Sequence, residues 1–191
     1  MKFLDLYNQD KSILKLISRD INKIIKKSDF ILGNKVKEFE DKFAKYCETK
    51  YAVSCANGTD ALFLAINSLN LPKGSEVILP AMTYCSTLFS VMRCNLKPIL
   101  VDIDKNTSTI SVKEIKKKIT KKTKVIMPVH WGGASPEMDK IMKIANKYKL
   151  HVVEDACMGI GAKVNKKSPG TFGTVNAFSM HPLKSLNVMG D

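Results

Sequence analysis

One lysine of this 191-residue chain lies where its amine could act as a nucleophile. Lys184 ends the run FSMHPLK (178–184), whose other residues are uncharged, whereas nearly every other lysine lies among charged residues. An amine in apolar surroundings loses its proton more easily and then becomes nucleophilic. The composition of this run makes Lys184 the candidate catalytic residue.

A second candidate is Asp155, which directly follows the run VVE (152–154) at the carboxyl end of a predicted strand. A carboxylate leaving such a strand is close to the interior and needs a cationic or hydrogen-bonding partner. Two roles fit: Asp155 caps the next loop, or it keeps the nitrogen of a bound heterocycle protonated. This stretch alone leaves both roles open.

The turn NGTD (57–60) joins a predicted strand to a predicted helix. The unpaired N–H groups and positive end of a helix suit a phosphate, Gly58 lets the backbone come close, and Thr59 adds a hydroxyl. Asn and Thr also cap helices that bind nothing, so the turn alone is a weak signal. The chain has neither a Gly-x-Gly-x-x-Gly nor a Walker motif, which argues against a dinucleotide or a nucleoside triphosphate.

Taken together, a phosphate site, an acidic partner for a ring nitrogen and an isolated lysine are what pyridoxal phosphate requires. Tyr84, which follows the second predicted strand, adds an aromatic face for the pyridine ring. Each part is ambiguous by itself. The set favours this cofactor more strongly than any one residue does.

The periodicity of the apolar residues predicts the elements that position these side chains. Residues 1–50 form a segment with helices over 11–27 and 35–47. The strands predicted beyond it are 51–55, 77–79, 98–102, 124–130, 152–154 and 177–180. The helices between them are 58–69, 83–93, 111–119 and 136–149, and Ser135 is expected to cap the last of these.

Strands that alternate with helices form right-handed crossovers, and therefore a mostly parallel sheet with helices on both faces. The sequence thus predicts a single α/β domain over residues 1–191, in which 1–50 is the helical segment and 51–191 is the core. Ligands bind outside the carboxyl ends of the strands in such sheets. The residues that follow the strands are therefore the informative ones.

Composition argues against several other classes of protein. The chain has 31 basic and 18 acidic residues, but Arg19 and Arg93 are its only arginines, so a nucleic-acid partner is not expected. No apolar stretch approaches the roughly 20 residues of a membrane span, and no signal peptide is recognised, which predicts a cytoplasmic protein. The five cysteines and three histidines suggest neither a disulfide framework nor a metal site.

The order and spacing of several motifs resemble those of the amino-terminal half of the DegT/StrS-type nucleotide-sugar aminotransferases. These motifs are FILG (30–33), VKEFE (36–40), CANGTDAL (55–62), VILPAMTY (77–84), VDID (101–104), PVH (128–130), EDA (154–156) and FSMHPLK (178–184). The resemblance runs nearly from end to end. It implies the large domain of a fold-type-I pyridoxal-phosphate transferase, truncated before the small carboxyl-terminal domain.

The resemblance places the cofactor contacts on Gly58, Thr59, Tyr84, Asp155, Ser179 and Lys184. Of these, Lys184 would hold pyridoxal phosphate as an internal aldimine, Asp155 would pair with its pyridinium nitrogen, and Tyr84 would stack on its ring. The other three would bind the phosphate. Met158 stands where the family often has glutamine, and it cannot donate a hydrogen bond to the ring oxygen of the cofactor.

The activity implied by the resemblance is the transfer of an amino group to a keto group of a nucleotide-linked deoxysugar, with glutamate as the expected amino donor. Such enzymes are cytoplasmic homodimers that supply amino sugars, including those of polysaccharides. Two alternatives stay open. A sister branch dehydrates sugars and has histidine in place of the lysine, so Lys184 favours transamination. The other alternative is an inactive fragment that needs a missing half.

Overall fold

The computed structural model describes residues 5–190, which divide into two compact units between Ser54 and Cys55. The first unit contains three helices, α1 (Leu6–Asp10), α2 (Leu14–Lys27) and α3 (Asn34–Cys47). Helices α2 and α3 each end at a residue in the left-handed conformation, whose N–H groups bond to carbonyls of the last turn. The helices predicted over 11–27 and 35–47 are thus present with slightly shifted ends.

The second unit alternates helices with strands. Its elements are α4 (Gly58–Asn67), β1 (Glu76–Pro80), α5 (Cys85–Arg93), β2 (Lys97–Val101), α6 (Val112–Lys118), β3 (Thr123–Ile126), α7 (Met138–Tyr148), β4 (His151–Asp155) and β5 (Val175–Ala177). The five strands form one sheet in the order β2-β1-β3-β4-β5, and every neighbouring pair is parallel. The predicted α/β class is confirmed.

Alternate residues of the strands build two hydrophobic cores, because successive side chains point to opposite faces of a sheet. Val77 and Leu79 of β1 pack on one face with apolar residues of α4 and α5. Ile78, between them, packs on the other face with residues of α6 and α7. All five residues of β1 are buried, as expected for a central strand covered on both faces.

The direction of the crossovers reverses at β1. The chain leaves β1 for β2 on one side and then returns to β3 on the other side. The loops that follow β1 and β3 therefore diverge and leave a crevice at the carboxyl edge of the sheet, which is where ligands bind in open parallel sheets.

Several sequence predictions are wrong in detail. The strand predicted over 124–130 ends at Ile126, and the strand predicted over 177–180 lies at Val175–Ala177 instead. Residues 51–55 form no strand, and none of the described strands pairs with them. Ser135 caps no helix: α7 begins at Met138, after Glu137, and the Ser135 hydroxyl donates to the carbonyl of Pro136. Across residues 5–190, none of the helices is both long and apolar enough to span a bilayer.

Candidate active site

A cavity of about 360 Å³ opens at the carboxyl edge of the sheet. Its walls come from the start of α4 and from the segments that follow β1, β3, β4 and β5. It is lined by Gly58, Thr59, Leu62, Thr83, Tyr84, Ser86, Val129, Trp131, Asp155, Cys157, Met158, Ser179, His181, Leu183 and Lys184. The structure therefore brings together all six residues that the sequence singled out for cofactor contact.

The first turn of α4 presents unpaired N–H groups to this cavity. Asn57 caps the helix, since its Oδ1 accepts the N–H of Asp60 at 2.9 Å and its carbonyl accepts the N–H of Ala61 at 2.9 Å. Within the described chain, the N–H groups of Gly58 and Thr59 have no hydrogen-bond partner. They lie at the positive end of the helix, where an anion is stabilised.

Gly58 permits a close approach between two loops of the site. A Cβ at this position would lie 2.8 Å from Cβ of Ser179 and 3.3 Å from Sγ of Cys157. The start of α4 and the segment after β5 therefore touch through a glycine with no room for a larger residue. The hydroxyls of Thr59 and Ser86, two residues that also line the cavity, are 2.7 Å apart and hydrogen-bonded.

Asp155 ends β4 with its side chain nearly buried, at 5% exposure. Its Oδ2 accepts a 2.7 Å hydrogen bond from the hydroxyl of Thr87, and its Oδ1 accepts the N–H of Cys157 at 3.2 Å. The Thr87 hydroxyl in turn lies 2.7 Å from that of Thr83, which lines the cavity. No salt bridge to Asp155 exists among the described residues, so this carboxylate has capacity for a cationic ligand.

Lys184 follows β5 in a tight turn. Its N–H bonds to the carbonyl of His181 at 2.8 Å, and Nδ1 of His181 accepts the N–H of Leu183 at 3.2 Å. Among the lysines that the structure describes, Lys184 alone is partly buried, and all the others are exposed. Its amine forms no salt bridge within residues 5–190. Lys184 is thus the least exposed of the described lysines, and it lies beside the cavity.

Tyr84 and Cys157 complete the walls in different ways. The ring of Tyr84 is 68% exposed and stands at the start of α5, so one face is free to contact a flat ligand. Burial, and next the nearby carboxylate of Asp155, raise the pKa of the Cys157 thiol well above its usual value. This thiol therefore stays protonated at neutral pH and is a poor nucleophile.

The sequence analysis missed Thr87 and Ser86. Both lie in the first turn of α5, and Thr87 follows Thr83 by four residues, which places the two hydroxyls on one side of the chain. That spacing after a strand end was the available signal. Neither His130 nor His181 lies in a group that could hold a metal ion, and no group of three ligating side chains exists in the part of the chain described.

Comparison with known proteins assigns this arrangement to one family. The family model described as the DegT/DnrJ/EryC1/StrS aminotransferase family matches residues 11–191. The dTDP-3-amino-3,6-dideoxy-alpha-D-galactopyranose transaminase of Aneurinibacillus thermoaerophilus is 41% identical over 93% of this chain and 49% of its own length. The UDP-2-acetamido-2-deoxy-3-oxo-D-glucuronate aminotransferase of Pseudomonas aeruginosa is 38% identical over 100% of this chain and 53% of its own.

Solved structures agree with these matches. The S. venezuelae protein DesV, crystallised with a ketimine intermediate, superposes with a TM-score of 0.95 and 34% identity over 100% of this chain and 51% of that one. The GDP-4-keto-6-deoxy-D-mannose-3-dehydratase of E. coli, with bound hydrated PLP, superposes with a TM-score of 0.85 and 33% identity over 91% of this chain and 46% of that one. The chain spans about half the length of the curated relatives it matches.

Proposed function

Since this chain belongs to the DegT/DnrJ/EryC1/StrS aminotransferase family, we propose that its cavity binds pyridoxal 5'-phosphate and serves amino transfer to a sugar. The amino group would come from an amino acid, glutamate being the expected donor. The acceptor would be the keto group of a nucleotide-linked deoxysugar. The dTDP- and UDP-linked sugars in the names of the two relatives support this class of acceptor.

The cavity has the parts that this cofactor needs. Two unpaired N–H groups at the start of α4, with the hydroxyls of Thr59 and Ser179 beside them, suit the phosphate. Asp155 has no cationic partner within residues 5–190 and suits the protonated ring nitrogen. Tyr84 offers an exposed aromatic face, and Lys184 offers an amine.

The roles of the site residues follow from the chemistry of the cofactor, which withdraws electrons from the carbon that loses its proton. Lys184 would bind the cofactor covalently through Nζ until the amine of the donor displaces it. The freed amine of Lys184 would then take that proton from one carbon and return it to another. Asp155 would hold the ring nitrogen protonated, while Thr87 fixes the orientation of the Asp155 carboxylate. Tyr84 would keep the ring parallel to its own.

One observation carries the proposal: Asp155 and the least exposed lysine of the described chain line the same cavity, beside the unpaired start of α4. Met158 also lines this cavity, where the family often has glutamine. Its thioether accepts hydrogen bonds only weakly and donates none. We therefore infer that Met158 leaves the ring oxygen of the cofactor without the hydrogen-bond donor that the amide of glutamine would supply.

Sugar dehydration is the second candidate, because the dehydratase of E. coli shares the fold and carries PLP. Lys184 favours transamination, since an amine at this position can shuttle the proton that amino transfer requires. A homodimeric assembly, a cytoplasmic location and a role in polysaccharide biosynthesis belong to the same proposal. Sedimentation of the protein and localisation of a tagged copy test the first two.

The experiment that tests the proposal combines the chain with pyridoxal phosphate, glutamate and dTDP- or UDP-linked keto sugars, and identifies the products by mass spectrometry. Transamination predicts 2-oxoglutarate together with an amino sugar. Dehydration predicts a deoxygenated keto sugar instead. Covalent labelling of Lys184 without turnover of either kind would favour the third reading, a fragment that needs a complementary half.

A further inference from the structure

Glu154 precedes Asp155 on β4, and its buried carboxylate accepts four hydrogen bonds. Its side chain has 0% exposure. Oε1 accepts the N–H groups of Phe172 and Gly173, both at 2.7 Å. Oε2 accepts the N–H of Gly170 at 2.8 Å and lies 2.8 Å from Nε2 of His130. Three of the four donors thus belong to one short segment, residues 170–173.

His130 supports the carboxylate from the other side. Because an ionised carboxylate only accepts, Nε2 of His130 is the donor of this contact. The imidazole is completely buried, and its Nδ1 has no hydrogen-bond partner in the described part of the chain. Leaving Nδ1 of His130 as an unpaired acceptor costs less free energy than leaving the Glu154 carboxylate without its Nε2 donor. The imidazole is therefore oriented with Nε2 toward Glu154.

The segment 170–173 lies in close contact with its neighbours at two glycines. A Cβ on Gly170 would overlap the ring of Phe178, and a Cβ on Gly173 would lie 2.5 Å from the carbonyl oxygen of Val152. The backbone is therefore pressed between β4 and the residue that follows β5. Glycine is required at both positions by close packing.

Strand β5 is short and lies at the edge of the described sheet. It pairs with β4 over three residues only, and within the described chain it has no strand on its other side. Further bonds run from the N–H of Thr174 to the carbonyl of Val152 at 2.7 Å, from the N–H of Ala156 to the carbonyl of Ala177 at 2.9 Å and from the N–H of Glu154 to Oδ1 of Asn176 at 3.3 Å. The chain then runs directly from β5 into Ser179 and Lys184.

We propose that Glu154 is a positioning residue that fixes segment 170–173, and with it β5, so that Ser179 and Lys184 are held opposite Asp155. This inference deepens the proposed function and rests on it for its link to cofactor binding. A carboxylate adjacent to Asp155 in sequence thereby anchors the loop that leads to Lys184. Neither Glu154 nor His130 lines the cavity.

Glu154→Gln tests the proposal with a minimal change of shape. Each carboxylate oxygen accepts at least one backbone N–H, so an amide NH₂ at either position faces a backbone donor. The matched control is Glu76→Gln. Glu76 is also buried and begins β1 at the opposite edge of the sheet, where its Oε2 accepts the hydroxyls of Thr120 at 2.5 Å and Thr123 at 3.4 Å.

Two measurements are made on each variant. Hydrogen–deuterium exchange of the cofactor-free chain reports the mobility of residues 170–173 and 179–184 without reference to any ligand. Titration with pyridoxal phosphate, followed by its visible absorbance, reports affinity. We expect Glu154→Gln to increase exchange in both stretches and to weaken the affinity about tenfold, the effect of losing one buried hydrogen bond of typical strength. Glu76→Gln should change neither.

Loosening confined to 170–173, or the same affinity in both variants, would overturn the proposal. If the parent chain bound no pyridoxal phosphate while Glu154→Gln still loosened 179–184, the proposed function would fail and the mechanical role of Glu154 would stand. Should Glu154→Gln not fold, His130→Leu removes one donor of the four and leaves the loop contacts in place. It should shift both readouts in the same direction by a smaller factor, and no shift would count against the proposal.

Discussion

The hydroxyl of Thr87 donates a 2.7 Å hydrogen bond to Oδ2 of Asp155, joining the first turn of α5 to the end of β4. Both residues are buried, and 68 positions of sequence separate them. This bond fixes the plane of the carboxylate that we assign to the ring nitrogen of the cofactor. It links the segments that follow two strands lying on either side of β3.

Replacing Thr87 by valine removes this donor while keeping the shape of the side chain. The Oδ2 atom of Asp155 would then be buried without a partner, which costs about 1–3 kcal/mol in the free energy of unfolding. Urea denaturation measures that loss, and the titration with pyridoxal phosphate should show weaker binding. Thr87→Ser, which retains the hydroxyl, should stay close to the parent protein; a loss as large as that of the valine variant would contradict this role.

Gly58→Ala should disturb the contact between α4 and the loop after β5. The added methyl would lie 2.8 Å from Cβ of Ser179, so one of the two segments must move. Overpacking of this kind costs about 1–3 kcal/mol, and the phosphate site would widen with it. Gly190→Ala is the control, since no atom lies within 4 Å of its added Cβ. Equal stability and equal cofactor affinity in the two variants would refute the steric argument.

The thiol of Cys157 is expected to lower the free energy of unfolding at alkaline pH. The folded protein favours the neutral thiol, because burial and Asp155 raise its pKa, whereas the unfolded chain ionises near the usual value of about 8.5. This contribution to stability is complete below the unfolded pKa and is lost as the pH rises toward the folded one. The free energy of unfolding should therefore fall more steeply above pH about 8.5 in the parent protein than in Cys157→Ala. Parallel pH profiles would show that the thiol is not coupled to folding.

Much of the fold could be read from the sequence, because helices and strands of a parallel sheet leave local patterns of apolar residues. The same patterns placed Gly58, Tyr84, Asp155 and Lys184 after strands or at a helix start, and the structure brings these positions to one cavity. Their roles in binding a cofactor stay predictions. The parallel topology explains why residues so far apart in sequence share one edge.

Other features depend on tertiary contacts that no local pattern reveals. Residues 51–55 have the composition of a strand, yet none of the described strands pairs with them. The predicted start of α7 was two residues too early. The carbonyl of Pro136 accepts both the Ser135 hydroxyl and the N–H of Met138, and the helix begins only at Met138. The bonds from Thr87 to Asp155 and from Gly170 to Glu154 likewise join distant parts of the sequence.

The most direct test of the account is the site at which the chain is labelled by its cofactor. The protein is incubated with pyridoxal phosphate, reduced with borohydride, digested, and mapped by mass spectrometry, alongside Lys184→Ala and Lys163→Ala. The account predicts one dominant adduct on Lys184, absent from Lys184→Ala and unchanged in Lys163→Ala, whose lysine is exposed. Adducts scattered over the exposed lysines, equal in all three proteins, would contradict it.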